Sequence, residues 1–310
     1  MKSTHIFLAI LLTLIYSVCY VLIKAGLAYA PPLLFGGLRT LIAGAALLGY
    51  AFIKRKPLFP SKISWRGLLV LVFVGTTLVF GAMFLSPGLA SAGIASVLGN
   101  SQALITVGLA ALFLDERLTI GKTTAVVLGI SGVILIAFPA LKASNGESIL
   151  GIGLALAVSA GTAIANVIIK RFKIRRGLLA FAGWQLVLGS LPLLVFSGLI
   201  EHDQEITWNT AFAGILLFLA LADTSFPTAT WYWLIQREDV GRLSLFFFLV
   251  PIFGLGISTL VFKEAISIYV GVGIVVILAG IGILLWEASR TPAREYTYCP
   301  VCNTKVALYG

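Results

Sequence analysis

Charge is scarce in this chain: Asp, Glu, Lys and Arg together make up 11% of its 310 residues, and only 12 residues are acidic. A soluble domain of that length exposes far more polar surface, so a water-soluble core is excluded. Histidine occurs only as His5 and His202, with no paired-histidine zinc motif. A Walker phosphate loop and a nucleophile-elbow serine are both missing, which argues against ATP hydrolysis by this chain alone. Sizeable soluble segments are missing too. The net charge of +10 therefore has no soluble basic face, and nucleic acid is excluded as a partner. No catalytic set and no cofactor motif emerge in the body of the chain, so a non-enzyme is expected.

What the chain does have is apolar length. Hydrophobic residues fill 59% of it, and the mean hydropathy is +1.05. They form ten stretches, at 5–24, 32–53, 66–86, 90–114, 119–138, 149–169, 178–200, 208–235, 241–262 and 267–286. Each suits the roughly 20 residues that cross a hydrocarbon layer of about 30 Å. Continuous runs exclude the alternation of a barrel, so the expected fold class is an all-α integral membrane protein with ten transmembrane helices. The first span lacks a small-residue cleavage site and reads as a retained helix. With a cytoplasmic amino terminus, 18 of the 22 basic residues fall on inner segments. Lys24, Lys142 and Lys263 fall outside, and Arg39 lies within a span. That asymmetry supports an even helix count with both termini cytoplasmic, and the cell (plasma) membrane is the expected location. The clusters at Lys54–Lys56 and Lys170–Arg176 read as topology signals that can also attract membrane lipids.

The chain repeats itself. Phe35 to Arg39 aligns with Phe181 to Gln185 at an offset of 146, which also relates Leu47-Leu48 to Leu193-Leu194 and Lys24 to Lys170. Glu116 to Thr119 aligns with Glu264 to Ser267 at an offset of 148, as Gly132 does with Gly280. Two halves of five helices follow, 5–139 and 150–287, with a cytoplasmic tail at 288–310. Five is odd, so the second half is inverted relative to the first. Inverted repeats place a binding site near the midplane, between halves that rock past each other.

The same residues carry a family resemblance. Pro31 through Arg39 resembles the second helix of EamA-type carriers in the drug/metabolite transporter superfamily, and Phe113-Leu-Asp-Glu116-Arg-Leu-Thr119 resembles that family's Leu-Gly-Glu-Arg-Leu signature. The second copy runs from Pro251 to Val261-Phe-Lys-Glu264-Ala-Ile-Ser267. Ala103 stands where the first proline would be, and Gln185 replaces the second arginine. The resemblance implies ten helices, cytoplasmic termini and transport of small metabolites such as amino acids, often by export.

Several residues are candidates for that transport. Arg39 lies about 12 Å inside its helix at 1.5 Å per residue, where it either recognises an anionic group or anchors a neighbouring helix. Asp223, the acid deepest in a span, is a candidate proton-coupling site or partner for a substrate amine, or else it steadies a break at Pro227; if Arg39 and Asp223 pair across the cavity, their opposite charges explain both without a substrate. Asn100, Ser101 and Gln102 cannot all face lipid, so Asn100 or Gln102 lines a polar cavity or bonds a helix; Asn166 has the same standing. Trp184 and Gln185 match Arg39 and its neighbour and are expected to face the same centre. Tyr16 and Tyr20, one turn apart, either stack on a substrate or pack. Trp231, Tyr232 and Trp233 read as an interfacial belt, and Cys19 as a packing residue. Small residues at Gly153, Ala157, Gly161 and Ala165, and at Gly88, Ala92, Ser96 and Asn100, let backbones approach closely. Pro227 and Pro251 are hinge candidates. Glu116 and Glu264 read as structural, each before a Thr or Ser that caps the next helix.

Cys299 and Cys302 in the tail form one zinc-ribbon knuckle. Zinc wants four ligands, so the pair is a relic, a dithiol, or half of a site shared by a homodimer. No other cofactor is expected. The overall expectation is a secondary transporter of small metabolites, exporting by alternating access. The alternatives are a membrane-embedded sensor signalling through the tail and an intramembrane lipid-modifying enzyme.

Overall fold

The structure is a computed structural model, and it describes residues 1, 3–59, 65–89, 95, 98–100, 102–143, 149–174, 176–201, 205–250, 252–253, 268–290, 296–299 and 304–307. The helices are α1 (Ser3–Gly26), α2 (Pro32–Ile53), α3 (Trp65–Val72), α4 (Val79–Leu89), α5 (Gln102–Phe113), α6 (Ile120–Ala143), α7 (Ile149–Phe172), α8 (Leu178–Ile200), α9 (Thr210–Leu217), α10 (Phe226–Ile235), α11 (Val240–Ser244) and α12 (Ile268–Arg290). Two π turns, Phe73–Leu78 and Phe218–Ser225, join α3 to α4 and α9 to α10. Among the described residues, six helices are long and apolar enough to cross a membrane: Ser3–Gly26, Pro32–Ile53, Arg66–Leu89, Ile149–Phe172, Leu178–Ile200 and Thr210–Ile235. Ile120–Leu135 and Gly271–Ile283 are shorter apolar segments. Side chains such as Ile149, 88% exposed, point outward from the bundle, as a lipid-facing surface requires.

Helix starts follow capping chemistry. Pro32 begins α2 at a position where its missing N–H costs nothing. Glu201, at the far end of α8, supplies the cap that the sequence around α2 lacks: its carboxylate accepts from the N–H groups of Leu33 (2.9 Å) and Leu34 (3.0 Å). Asn209 caps α9 through Phe212 N–H at 2.7 Å, and Thr119 caps α6 through Lys122 N–H at 3.2 Å.

Two helix pairs form the frame, and each joins helices at matching places in the repeat. In the α2–α8 pair, Gly37 faces Leu194 and Gly183 faces Leu48; a Cβ on Gly44 would meet the Gly183 carbonyl oxygen at 2.7 Å. In the α6–α12 pair, a Cβ on Gly132 would meet the Gly273 carbonyl oxygen at 2.7 Å, and Gly280 lies on Ala125. The contacts are reciprocal, and partner numbers fall as the others rise. Matching helices that pair antiparallel are related by a two-fold axis across the helices, not along them.

The π turns obey the same relation. The hydroxyl of Thr77 donates to Val72 O (3.2 Å) and Gly189 O (2.9 Å); that of Ser225 donates to Ala220 O (3.0 Å) and Ala43 O (2.9 Å). These are the same bonds at offsets of 148 and 146. Pro227 is the second residue of α10, just after the second π turn, so the break expected there is a widened helical turn. Gly161 in α7 meets Val79 and Val74, as its small-residue stripe predicts.

One end of the bundle gathers the chain start, the 114–119 and 236–239 turns and the end of α12. His5 bonds Glu238, Glu116 bonds Val240, and Thr119 bonds Glu287. We call it the N-terminal end. Two expected spans differ from continuous helices. In 90–114, Ala95, Leu98 and Gly99 are helical, a turn stands at Asn100, and helix α5 runs from Gln102; Ala92, Ser96 and Ser101 lie outside the described residues. In 241–262, five-residue α11 runs into a 3-10 turn at Leu245–Phe248, after which Leu249, Val250, Ile252 and Phe253 are helical again; Pro251 and Glu264 lie outside the described residues. The tail departs from an all-α fold: β1 (Tyr296–Cys299) and β2 (Thr304–Ala307) pair antiparallel with Cys299 opposite Thr304, and Cys302 lies outside the described residues.

Candidate functional site

A cavity of about 140 Å³ lies mid-bundle between the two halves. Tyr16, Tyr20, Arg39, Asn100, Gln102, Asn166, Gln185 and Asp223 all line it. The repeat offsets set these residues opposite one another: Tyr20 matches Asn166, Tyr16 matches Thr162, and Arg39 matches Gln185 at 146. The cavity therefore straddles the two-fold axis.

Arg39, only 2% exposed, is held from three sides. It donates from Nη2 to Asp223 Oδ2 at 2.5 Å, from Nε to Thr224 Oγ1 at 2.8 Å, and from Nη1 to Cys19 Sγ at 3.2 Å. The rings of Phe80 and Phe84 lie 5.4 and 5.6 Å from its guanidinium carbon. A charge so deep persists only with such partners. The π turn has a direct role, because its widened backbone carries Asp223 and Thr224 together toward α2.

The matching slot is neutral. Gln185 donates from Nε2 to Thr76 Oγ1 at 3.1 Å and accepts from Tyr232 OH at 2.9 Å. Gly75, at the position matching Asp223, is tightly packed: a Cβ there would meet Ala165 Cβ at 2.9 Å and Gln185 Nε2 at 3.3 Å.

Several buried polar atoms at the cavity have no protein partner: Asp223 Oδ1, Gln102 Oε1 and Asn166 Nδ2. Asn166 is fixed in orientation, because its Oδ1 accepts from Trp231 Nε1 at 2.9 Å and an indole can only donate. Its NH2 group is therefore the free donor. Each buried unsatisfied group costs on the order of 1–3 kcal/mol, which a bound polar molecule would recover. Aromatic rings close the walls: Tyr16 stacks on Phe247 at 5.5 Å, and Trp231 meets Phe247 edge-on at 4.8 Å. The volume is below the roughly 300–1,000 Å³ of sites for drug-sized ligands, so a small metabolite fits better.

Three sequence expectations need correction. Trp184 does not face the centre with Gln185; adjacent helical positions diverge by about 100°, and its Nε1 donates to Leu58 O at 2.9 Å while its ring stacks on Phe59. Trp231 and Tyr232 are not an interfacial belt but buried cavity walls, and only Trp233 sits at the bundle end, under Arg237. Cys19 does more than pack, since it accepts from Arg39. The signal for Trp231 was its position eight residues, about two turns, after Asp223. Among the described residues no group of His, Cys, Asp and Glu could hold a metal ion.

Comparison with known proteins fits this arrangement. A family model described as the EamA-like transporter family matches residues 3–138 and again 149–286. The chain is 30% identical to a "Probable amino-acid metabolite efflux pump" of Salmonella typhimurium, covering 89% of this chain and 92% of that one. It is 27% identical to the "Uncharacterized transporter YoaV" of Bacillus subtilis over 90% and 95%. A solved crystal structure superposes with a TM-score of 0.78, at 17% identity, over 94% of this chain and all of the other. That last likeness shows the fold alone.

Proposed function

The chain belongs to the EamA-like transporter family, and from that premise we propose that it is a secondary carrier exporting small amino-acid-like metabolites by alternating access. The observation that carries this reading is the cavity on the two-fold axis, with an ion pair at its centre and unpartnered polar atoms around it. Arg39 and Asp223 offer opposite charges to a zwitterion's carboxylate and ammonium, and Asn166 and Gln102 add a donor and an acceptor. Ten spans in two inverted five-helix repeats, 5–139 and 150–287, give the halves that rock. The reciprocal antiparallel pairing supports that division. The relatives named as amino-acid metabolite efflux pumps support the substrate class and the direction. The basic residues at the N-terminal end support cytoplasmic termini.

Asp223 is the residue to which we assign proton coupling, because its second carboxylate oxygen has no partner beside the substrate space. Purified protein in liposomes tests both claims. Radiolabelled neutral amino acids should exchange by counterflow, and an imposed pH gradient should drive accumulation. Asp223→Asn, which keeps a neutral acceptor for Arg39 and for a substrate ammonium, should keep measurable exchange at a raised KM and lose accumulation. Absence of counterflow for any amino acid or related metabolite would remove the carrier reading; accumulation in the variant would remove Asp223 as the coupling site.

A further inference from the structure

The N-terminal end of the bundle carries a second polar centre that transport through the cavity does not use. Lys122 at the start of α6 is only 2% exposed, and its Nζ lies 2.7 Å from Asp239 and 3.3 Å from Glu116. Glu116 in turn accepts from the N–H groups of Val240 (2.7 Å) and Gly241 (3.0 Å). The carboxylate that reads in sequence as part of its own turn therefore caps a helix in the other half. Thr119 ties the same turn to Glu287 at 2.8 Å. Lys170 donates to the carbonyls of Ile235 (2.7 Å) and Glu238 (2.6 Å), and His5 bonds Glu238. Between this network and the cavity lie Leu12, Leu71, Leu234, Ile235 and Leu243, all fully buried.

In sequence the Lys122–Asp239 pair is one-sided, although Glu116 itself matches Glu264. At the repeat offset of 148, Lys122 matches Val270 and Asp239 matches Ser91. A bond needed only to stabilise each half would keep its charges in both copies. A bond that joins the halves at a single end does different work: it must break whenever that end opens and re-form whenever it shuts.

We infer that Glu116, Lys122 and Asp239 form the inner gate of the transport cycle, a three-residue latch that holds the N-terminal end closed while the apolar layer above it seals the cavity. This inference rests on the carrier reading. Opening the end exposes all three groups to water, which solvates each of them. The cost of opening is then set by how well the latch competes with hydration.

Cys19, in the cavity wall, serves as the reporter. In the full chain with Cys299→Ser and Cys302→Ser it is the sole thiol. An impermeant maleimide is applied to oriented vesicles from each side in turn. Lys122→Met should raise the Cys19 labelling rate from the N-terminal-end side by about tenfold or more, with no rise from the other side. The double variant Lys122→Met/Asp239→Asn, which leaves less uncompensated charge, keeps the test open if the single variant folds poorly; it should raise labelling in the same one-sided way. An unchanged rate, or an equal rise from both sides, overturns the gate. Labelling needs no substrate, so a failure of counterflow with one-sided labelling intact would count against the carrier reading and leave the gate standing.

Discussion

The two halves of the molecule make the same cross-bonds with different chemistry. In one, Arg39 of α2 reaches the π turn of the second half and finds Thr224 and Asp223. In the other, Gln185 of α8 reaches the π turn of the first half and finds Thr76, with Gly75 where an acid would stand. The backbone frame is shared down to the hydroxyl bonds of Thr77 and Ser225. Shared features are those that packing the halves requires. What differs is not required by the shared frame, because one copy holds that frame without it. The charge pair at Arg39 and Asp223 is such a difference; the Lys122–Asp239 pair differs in sequence, where Val270 and Ser91 carry no charge.

The comparison breaks most sharply at the ion pair. Arg39→Ala or Asp223→Ala leaves a buried charge uncompensated, at a cost of about 3–5 kcal/mol. Gln185→Ala, in the matching slot, removes neutral hydrogen bonds worth about 1 kcal/mol each. Thermal unfolding in detergent should therefore show a much larger loss for either charged variant than for Gln185→Ala. The double variant Arg39→Leu/Asp223→Leu should recover most of the stability while counterflow stays abolished. Equal destabilisation of the two slots would show that the asymmetry carries no electrostatic weight.

A second difference is Asn166, whose counterpart is Tyr20. The amide has one partnered atom, bonded to Trp231, and one orphaned donor at the cavity. Asn166→Ala should raise KM by about 10- to 100-fold, the effect of losing a buried hydrogen bond to substrate worth about 1–3 kcal/mol. Its stability should fall by about 1–3 kcal/mol, because the buried Trp231 N–H loses its acceptor, partly offset by removal of the orphaned amide donor. A melting temperature that drops while KM holds would make Asn166 a packing residue.

How much of this was legible in sequence follows from what a linear pattern encodes. Apolar runs placed α1, α2, α7 and α8 within a few residues, because length and hydropathy fix a span. Charges in apolar surroundings picked out Arg39 and Asp223, because such residues need partners. Their pairing was not legible: it depends on the π turn, a widening of the helix that no composition signals. Trp231 and Tyr232 were read as a belt from their aromatic cluster, although Trp231 stands two helical turns after Asp223 and shares its inward face. Glu116 was read through its own turn, since a capping residue is normally local; its bond to Val240 spans the two halves and appears only in three dimensions. Glu201 escaped for the same reason.

The smallest effect concerns pH and the latch. Glu116 lies outside the membrane-spanning helices, and burial pushes its carboxyl up to about 7, helped by neighbouring Asp239 and opposed by the Gly241 N–H and Lys122. Asp239 is held below the usual carboxylate range although burial opposes this, because Glu116 and Lys122 bond to it. The groups facing Glu116 are Lys122 from α6, Asp239 and the first N–H groups of α11, and Lys170 from α7. In an open, water-filled end a glutamate returns to about 4.3. The closed end thus holds a proton on Glu116 that the open end releases, so acid favours closure and alkali favours opening as pH rises through about 7. Between pH 6 and 8 the closed-to-open ratio should fall by about tenfold, roughly 1.4 kcal/mol. The Cys19 labelling rate from the N-terminal-end side reports it once divided by the rate in Glu116→Gln, where the thiol titrates alike but position 116 does not. A normalised rate that fell with rising pH would reverse the sign of the coupling and separate the latch from protonation of Glu116.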